Sequence, residues 1–150
     1  MTLPDIQAVI GRMGPLDGAS EFLSWLKARH QVIILSDTFY EFAAPLMRQL
    51  AFPTLLCHRL EIDGAGFVSD YRLRMPDQKR AAVEAVRALN FAVIAAGDSY
   101  NDTSMLGAAN AGIFFRPPDA IAAQFPGFGV TRDYRELAAA IDEAAAGFAR

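Results

Sequence analysis

Cysteine is almost absent from this sequence. Cys57 is the one cysteine in 150 residues, so the chain cannot form an internal disulfide. The sequence also contains no C-x-x-C pair and no Cys/His cluster with zinc-ligand spacing. Because structural disulfides are typical of oxidising compartments, this composition predicts a cytoplasmic protein without structural zinc.

The chain also lacks an excess of positive charge and lacks long apolar runs. Its net charge is −3 and its isoelectric point about 5.3, so it offers no basic surface for a nucleic acid or an anionic membrane. The longest apolar runs, such as residues 91–96, are far too short to span a bilayer. We therefore expect neither a nucleic-acid nor a membrane partner.

Apolar residues are plentiful, at 53% against 21% charged residues, which supplies enough material for a buried core. The length of 150 residues suits one compact domain. Short apolar runs at residues 31–35 (QVIIL) and 91–96 (FAVIAA) predict buried strands, and amphipathic helical patterns separate them. This alternation predicts a doubly wound α/β fold with a parallel sheet.

Turn and capping residues add detail to this prediction. Thr2 is expected to cap a first helix. Asp77 is expected to cap another helix, which begins directly after it in the second half of the chain. Thr38 and Glu41 have the spacing of a capping box, which predicts a helix directly after the strand at 31–35. Residues 60–71, with Asp-Gly-Ala-Gly at their centre, predict a β-hairpin.

Polar clusters follow both buried runs, where a parallel sheet of this class gathers its ligands. The sharper one is Gly97-Asp98-Ser99-Tyr100-Asn101-Asp102, in which Asp98 and Asp102 stand four residues apart. Hard carboxylate ligands with this spacing suit Mg²⁺, which needs only one or two of them when a phosphate is also bound. The alternative is that both aspartates merely cap the helix predicted from Thr103 onward.

Ser36 follows the other run, and Asp37 adjoins it. A serine at the start of a helix completes a phosphate cradle of backbone N–H groups, although it is equally a simple cap.

Lys79 is one of two lysines and lies in the first turn of a predicted helix, where the helix dipole disfavours a cation. Holding a phosphate or screening clustered carboxylates would offset that cost, and a solvated side chain is the alternative. His30 and His58 are interpreted as structural or solvated, and the acidic residues of the hairpin as turn residues.

In order and spacing, Ser36, Lys79 and the segment Gly97 to Asp102 resemble motifs of the haloacid dehalogenase-like phosphatases. The stretches ILSDTFYEFAAPLMRQLAFPTLLCHRLEID and VIAAGDSYNDTSML are similar to the branch of bifunctional phosphoserine phosphatases and homoserine phosphotransferases. The resemblance extends over essentially the whole chain.

The resemblance implies Mg²⁺-dependent phosphoryl transfer through an aspartyl-phosphate, with phosphoserine hydrolysis and transfer to homoserine as the reactions. Ser36, Asp37, Lys79 and Asn101 would bind phosphate or substrate, Lys79 being the catalytic residue among them. Asp98 would ligate the metal and Asp102 support it. The implied partner is a small phosphomonoester, and a second copy of the chain is a further candidate partner.

Members of this family begin with a central strand that ends in a D-x-D or D-x-E loop carrying the nucleophile, followed by a helical cap. Neither the loop nor most of the cap is present, so residues 1–15 are interpreted as a cap remnant and residues 16–150 as a core lacking its first strand. On this interpretation the chain alone is inactive, and two strand edges are left unpaired. The alternative function is a non-catalytic fragment that binds phosphate or metal, or pairs with another chain.

Overall fold

Two units make up the chain in the computed structural model, which describes residues 1–149. They are Met1–Pro76 and Asp77–Arg150. The length predicts one compact domain, which stays a prediction, and each unit forms a three-stranded sheet of its own. Cys57 is buried in the first unit and Phe114 in the second. No helix within residues 1–149 combines the length and the apolar character needed to cross a membrane.

The first unit consists of α1 (Leu3–Ile10), α2 (Ala19–Lys27), β1 (Ile33–Phe39), α3 (Tyr40–Gln49), β2 (Thr54–Ile62) and β3 (Val68–Arg72). β1 pairs with β2 in parallel and β2 with β3 in antiparallel, in the order β1-β2-β3. Thr2 occupies the N-cap position of α1 as predicted, and its N–H and its hydroxyl both donate to Asp5 Oδ2 at 2.8 Å. Gln7 of α1 donates from Nε2 to the Glu41 carbonyl at 2.7 Å. The origin of residues 1–15 as a cap remnant stays a prediction.

β1 is longer than its apolar run. Leu35 pairs with Leu56 and Phe39 with His58, so four steps along β1 correspond to two along β2. Residues 36–38 therefore form a bulge, and pairing with β2 resumes after it. The prediction that the strand ends at Leu35, with Ser36 at the start of the helix, is wrong.

The capping box predicted for α3 is also absent. Phe39 occupies the N-cap position, with no side-chain cap. Glu41 instead accepts a hydrogen bond at Oε2 from the Leu60 N–H at 2.9 Å, which joins α3 to β2. A distant backbone donor on β2 thus binds the side chain that local spacing paired with Thr38.

The β-hairpin is confirmed by the antiparallel pairing of β2 with β3. Asp63 Oδ1 accepts the N–H groups of Ala65 and Phe67, each at 2.9 Å, which closes the connecting loop. Gly66 has φ +86°, a left-handed conformation that glycine adopts without steric cost.

The second unit consists of α4 (Gln78–Ala88), β4 (Ile94–Gly97), a 3₁₀ turn (Tyr100–Asp102), α5 (Thr103–Ala108), β5 (Ala111–Phe115), α6 (Asp119–Gln124), β6 (Gly129–Thr131) and α7 (Tyr134–Phe148). Its strands are parallel, in the order β4-β5-β6, and helical segments connect them. The predicted doubly wound α/β class is therefore confirmed. Each of the two sheets has an edge strand, β1 in the first and β4 in the second.

Close packing of α5 on β5 fixes the part of the second unit that follows β4. A Cβ added to Gly112 would lie 2.6 Å from the Leu106 carbonyl oxygen, closer than real Cβ atoms come. Leu106 is 1% exposed and Phe114 is fully buried. The helix that follows the polar segment after β4 is thus held directly against the sheet.

Candidate functional site

Asp102 organises the polar segment that follows β4. Its Oδ2 accepts hydrogen bonds from the Asp98 N–H at 3.0 Å, the Ser99 N–H at 3.2 Å and the Ser99 hydroxyl at 3.1 Å. Its Oδ1 accepts a hydrogen bond from Lys79 Nζ at 2.8 Å. One buried carboxylate therefore fixes the loop after β4 and holds a lysine from the start of α4.

The charge of Asp102 is maintained inside the protein. Burial raises the pKa of this carboxyl, but the hydrogen bond and charge of Lys79 together with the N–H groups of Ser99 and Asp98 lower it further, so that it lies below its ordinary value. Asp102 is therefore ionised at neutral pH, and the pair is an ion pair with side chains 9% and 11% exposed.

Gly97 makes room for this carboxylate. A Cβ on Gly97 would lie 2.6 Å from Asp102 Cβ and 2.7 Å from Asp102 Oδ2. No side chain fits at the last residue of β4 without moving Asp102. The glycine is therefore required by close packing against Asp102.

Lys79 lies in the first turn of α4, where a cation is disfavoured by about 0.3–1 kcal/mol. The Asp102 carboxylate offsets that cost, since Lys79 is one half of the ion pair. The neighbouring Arg80 pairs instead with Glu84, one turn further along the helix. The interpretation of Lys79 as a freely solvated side chain is therefore wrong, and the lysine screens a carboxylate instead.

Asp98 and Asn101 lie beside this ion pair and are exposed. The Asp98 N–H is bonded to Asp102, whereas its carboxylate makes no hydrogen bond or ion pair with a residue in the described part of the chain. Within residues 1–149 no three His, Cys, Asp or Glu side chains gather into a cluster that could hold a metal. Asp98 thus offers one carboxylate to solvent, while both oxygens of Asp102 carry donors.

Ser36 and Asp37 lie in the first unit, in the bulge of β1. Ser36 Oγ accepts the Thr38 N–H at 3.3 Å. Asp37 Oδ1 lies 3.9 Å from Nε2 of His58, a residue that is 7% exposed. The Arg74 N–H donates to Nδ1 of this histidine at 3.1 Å, which leaves Nε2 as its protonated nitrogen in the neutral form. His58 is therefore a structural histidine that also faces a candidate site residue.

The structure thus brings Lys79, Asp98, Asn101 and Asp102 together within the second unit, and Ser36 with Asp37 within the first. Two contributing residues were not predicted, Ser99 and His58. The spacing of Ser99 and Asp102 is that of a capping box and was a visible signal. No sequence signal links His58 to Asp37, because strand register alone brings them near each other.

Comparison with known proteins adds family information to this geometry. The sequence model of the haloacid dehalogenase-like hydrolases matches residues 1–107. A phosphoserine phosphatase of Pseudomonas syringae pv. tomato is 57% identical over 137 residues, which are 91% of this chain and 58% of that protein. The phosphoserine phosphatase ThrH of Pseudomonas aeruginosa is 56% identical over 137 residues, 91% of this chain and 67% of that protein. This chain therefore spans roughly three fifths to two thirds of the length of these relatives.

A solved structure of a substrate-bound phosphoserine phosphatase complex has a similar fold. Its TM-score is 0.76 at 23% sequence identity, and the match covers 91% of this chain and 69% of that one. At this identity the likeness concerns the fold alone.

Proposed function

Because the chain belongs to the haloacid dehalogenase-like hydrolases, we propose that it carries the metal- and phosphate-handling part of a phosphoryl-transfer site. The substrates are small phosphomonoesters, with phosphoserine first among them. The observation that carries the proposal is the Asp102 carboxylate, which is buried, ionised and bonded at once to Lys79 and to the loop bearing Asp98. Burial of two charged side chains costs desolvation free energy. Charged groups held in the interior in this way cluster at functional sites.

The donor chemistry of this loop fits Mg²⁺. Asp98 supplies a solvent-facing hard oxygen ligand, and Mg²⁺ commonly takes one or two protein carboxylates, completing its shell with water and substrate phosphate. Asp98 would be the direct ligand, and Asp102 would support it by fixing the loop backbone. When bound, the ion would supply positive charge to the transferring phosphoryl group.

Lys79 and Ser36 are the proposed phosphate-handling residues of the chain. Lys79 brings a fixed positive charge, which phosphoryl transfer uses to stabilise charge on the equatorial oxygens. Ser36 offers a hydroxyl in a bulge, a feature that often re-aims side chains next to functional sites. Asp37 and Asn101 are proposed to contact the substrate.

The full reaction proposed is transfer of the phosphoryl group to an aspartate nucleophile and then to water or to homoserine. The two relatives, both named phosphoserine phosphatases, support the transfer to water, whereas homoserine as an acceptor rests on the sequence resemblance. Residues 1–150 hold no D-x-D or D-x-E loop after an apolar strand, so we propose that they do not turn over substrate by themselves. Location in the cytoplasm is part of the same proposal.

A second candidate function rests on the edges of the two sheets. β1 and β4 are edge strands of their sheets, and an edge presents main-chain donors and acceptors that can pair with another strand. Pairing with another chain, including a second copy, would then be the activity of a non-catalytic protein. Sedimentation over a range of concentrations tests for such a dimer.

Metal titration tests the proposed site directly. We would titrate Mg²⁺ into the wild type, Asp98→Asn and Asp142→Asn by calorimetry, with inorganic phosphate present. Asp142 is an exposed aspartate of α7 in the same unit, so its variant matches the charge change. Asp98→Asn should weaken Mg²⁺ binding by at least about tenfold while Asp142→Asn leaves it unchanged. Equal affinities for all three proteins would refute Asp98 as the ligand.

A test of the substrate class needs a protein with the aspartate nucleophile. The chain would therefore be mixed with a peptide that carries the family's first strand and acidic loop. Phosphoserine, a sugar phosphate and a nucleotide would then be compared. A clear preference for the sugar phosphate or the nucleotide would contradict the substrate proposed here.

A further inference from the structure

We infer that Asp77 and Ser104 are positioning residues that hold the start of α4 so that Lys79 meets Asp102. The inference rests on the proposed function, in which Lys79 faces the phosphoryl group. The evidence is a hydrogen bond between Asp77 and Ser104, in addition to the Lys79–Asp102 ion pair, and the strained backbone of Asp77.

Asp77 directly precedes α4 and has φ 47° and ψ 45°, the left-handed conformation that residues with a Cβ seldom adopt. Its side chain does not cap the helix, contrary to the sequence-based prediction. Asp77 Oδ1 instead accepts a hydrogen bond from the Ser104 hydroxyl at 2.8 Å. Backbone strain of this kind persists where the surrounding contacts require it, and the bond to Ser104 is such a contact.

The spacing along the chain relates this bond to the ion pair. Asp77 lies two residues before Lys79, and Ser104 lies two residues after Asp102. The bonds Asp77–Ser104 and Lys79–Asp102 therefore join the same two chain segments, the start of α4 and the start of α5. One bond fixes the backbone from which the lysine projects, and the other fixes the ammonium group.

A flexible lysine side chain must lose rotamer freedom to keep one position. Anchoring its backbone on the segment that carries its partner removes the motions that would separate them. Loss of the Asp77–Ser104 bond should thus leave the fold in place but let Lys79 leave Asp102 more often.

The chain offers an internal reference for this measurement, because its two lysines differ in environment. Lys79 is 11% exposed in the ion pair, whereas Lys27 is exposed on α2. We would label the folded protein with limiting acetic anhydride and measure acetylation of Lys79 relative to Lys27 by mass spectrometry. No substrate, metal or activity enters this measurement.

Two pairs of variants separate the hydrogen bond from other effects. Ser104→Ala removes the donor, and Asp77→Gly removes the acceptor while allowing the left-handed backbone. Both should raise the relative labelling of Lys79 by about threefold to tenfold, the range expected for the loss of one ordinary hydrogen bond. Ser104→Thr and Asp77→Asn keep a donor and an acceptor, so they should stay close to the wild type.

General loosening of the fold needs its own control. Ile141→Val removes one methylene from a side chain that is 5% exposed in the same unit, and Ser24→Ala is a matched serine change on the exposed face of α2. Neither should raise Lys79 labelling. The inference is overturned if Ser104→Ala leaves labelling unchanged, or if Ile141→Val raises it as much at an equal loss of thermal stability. Failure of the proposed function would appear in a separate assay. The Lys79→Met variant, mixed with the peptide that carries the family's first strand and acidic loop, would then turn over phosphoserine as fast as the wild type.

Discussion

The Lys79 ammonium and the Asp102 carboxylate form an ion pair at 2.8 Å, with both side chains about nine-tenths buried. This pair joins the start of α4 to the loop after β4, and the loop exposes Asp98. The chemistry proposed for the chain depends on this one connection. Loss of this ion pair, or of the packing around Asp102, should therefore change the stability of the protein and, once the nucleophile is supplied, its turnover.

Replacement of Gly97 by alanine should displace Asp102. The new Cβ would lie 2.6 Å from Asp102 Cβ, and overpacking of this kind costs about 1–3 kcal/mol of unfolding free energy. Urea unfolding followed by far-ultraviolet circular dichroism measures the loss. Gly127→Ala is the matched control, because no atom lies within 4 Å of the Cβ it would add. Equal stability of the two variants would show that Gly97 has no packing role.

The ion pair should make stability depend on pH in the acid range. The folded pKa of Asp102 lies below its ordinary value of 3.8, so its stabilising contribution is complete above about pH 4. The contribution is lost as pH falls through the folded pKa. Wild-type protein should therefore keep its stability advantage over Asp102→Asn down to about pH 4 and lose it progressively at lower pH, measured by urea unfolding at each pH. Asp142→Asn should follow the wild-type pH dependence. A constant difference between wild type and Asp102→Asn would contradict the assignment of this charge.

Cys57 should react slowly with alkylating reagents while the first unit is folded. Burial raises the pKa of its thiol from 9.0 to about 11, and the residue is 1% exposed. The pKa change alone lowers the thiolate fraction at pH 8 by about a hundredfold, and the lack of access adds to this. Iodoacetamide labelling of the native and the urea-unfolded chain, followed by mass spectrometry, measures the ratio. Similar rates in the two states would mean that Cys57 is not buried in solution.

The sequence predicts the helices other than α6, and most of the parallel strands, from local periodicity, but strand ends depend on the partner strand. The apolar run QVIIL predicts a strand at residues 31–35, whereas β1 extends to Phe39 because pairing with β2 resumes after the bulge. β6, at Gly129–Thr131, was not predicted, since three residues are too few to show a period and this strand forms by pairing with β5.

The candidate site, too, is predictable from the sequence only in part. Asp98 and Asp102 lie on one short segment, as their spacing requires, but only Asp98 exposes its carboxylate, and their metal-binding role stays a prediction. The sequence allows that Lys79 screens a carboxylate, but it does not single out Asp102, which lies 23 positions away on another element. The approach of Asp37 to His58 likewise requires the register of two strands.

Hydrolysis of phosphoserine in the presence of Mg²⁺ tests the central claim most directly. The chain would be assayed alone, with a peptide carrying the family's first strand and acidic loop, and with that peptide after its first loop aspartate is changed to asparagine. In the proposed site Lys79 and Asp98 would orient and neutralise a phosphate, but the covalent route needs a carboxylate nucleophile. Turnover should therefore appear only with the unaltered peptide, and removal of the nucleophile should lower it by several orders of magnitude. Substantial turnover by the chain alone, abolished by Asp37→Asn, would place the nucleophile within these 150 residues and contradict the account.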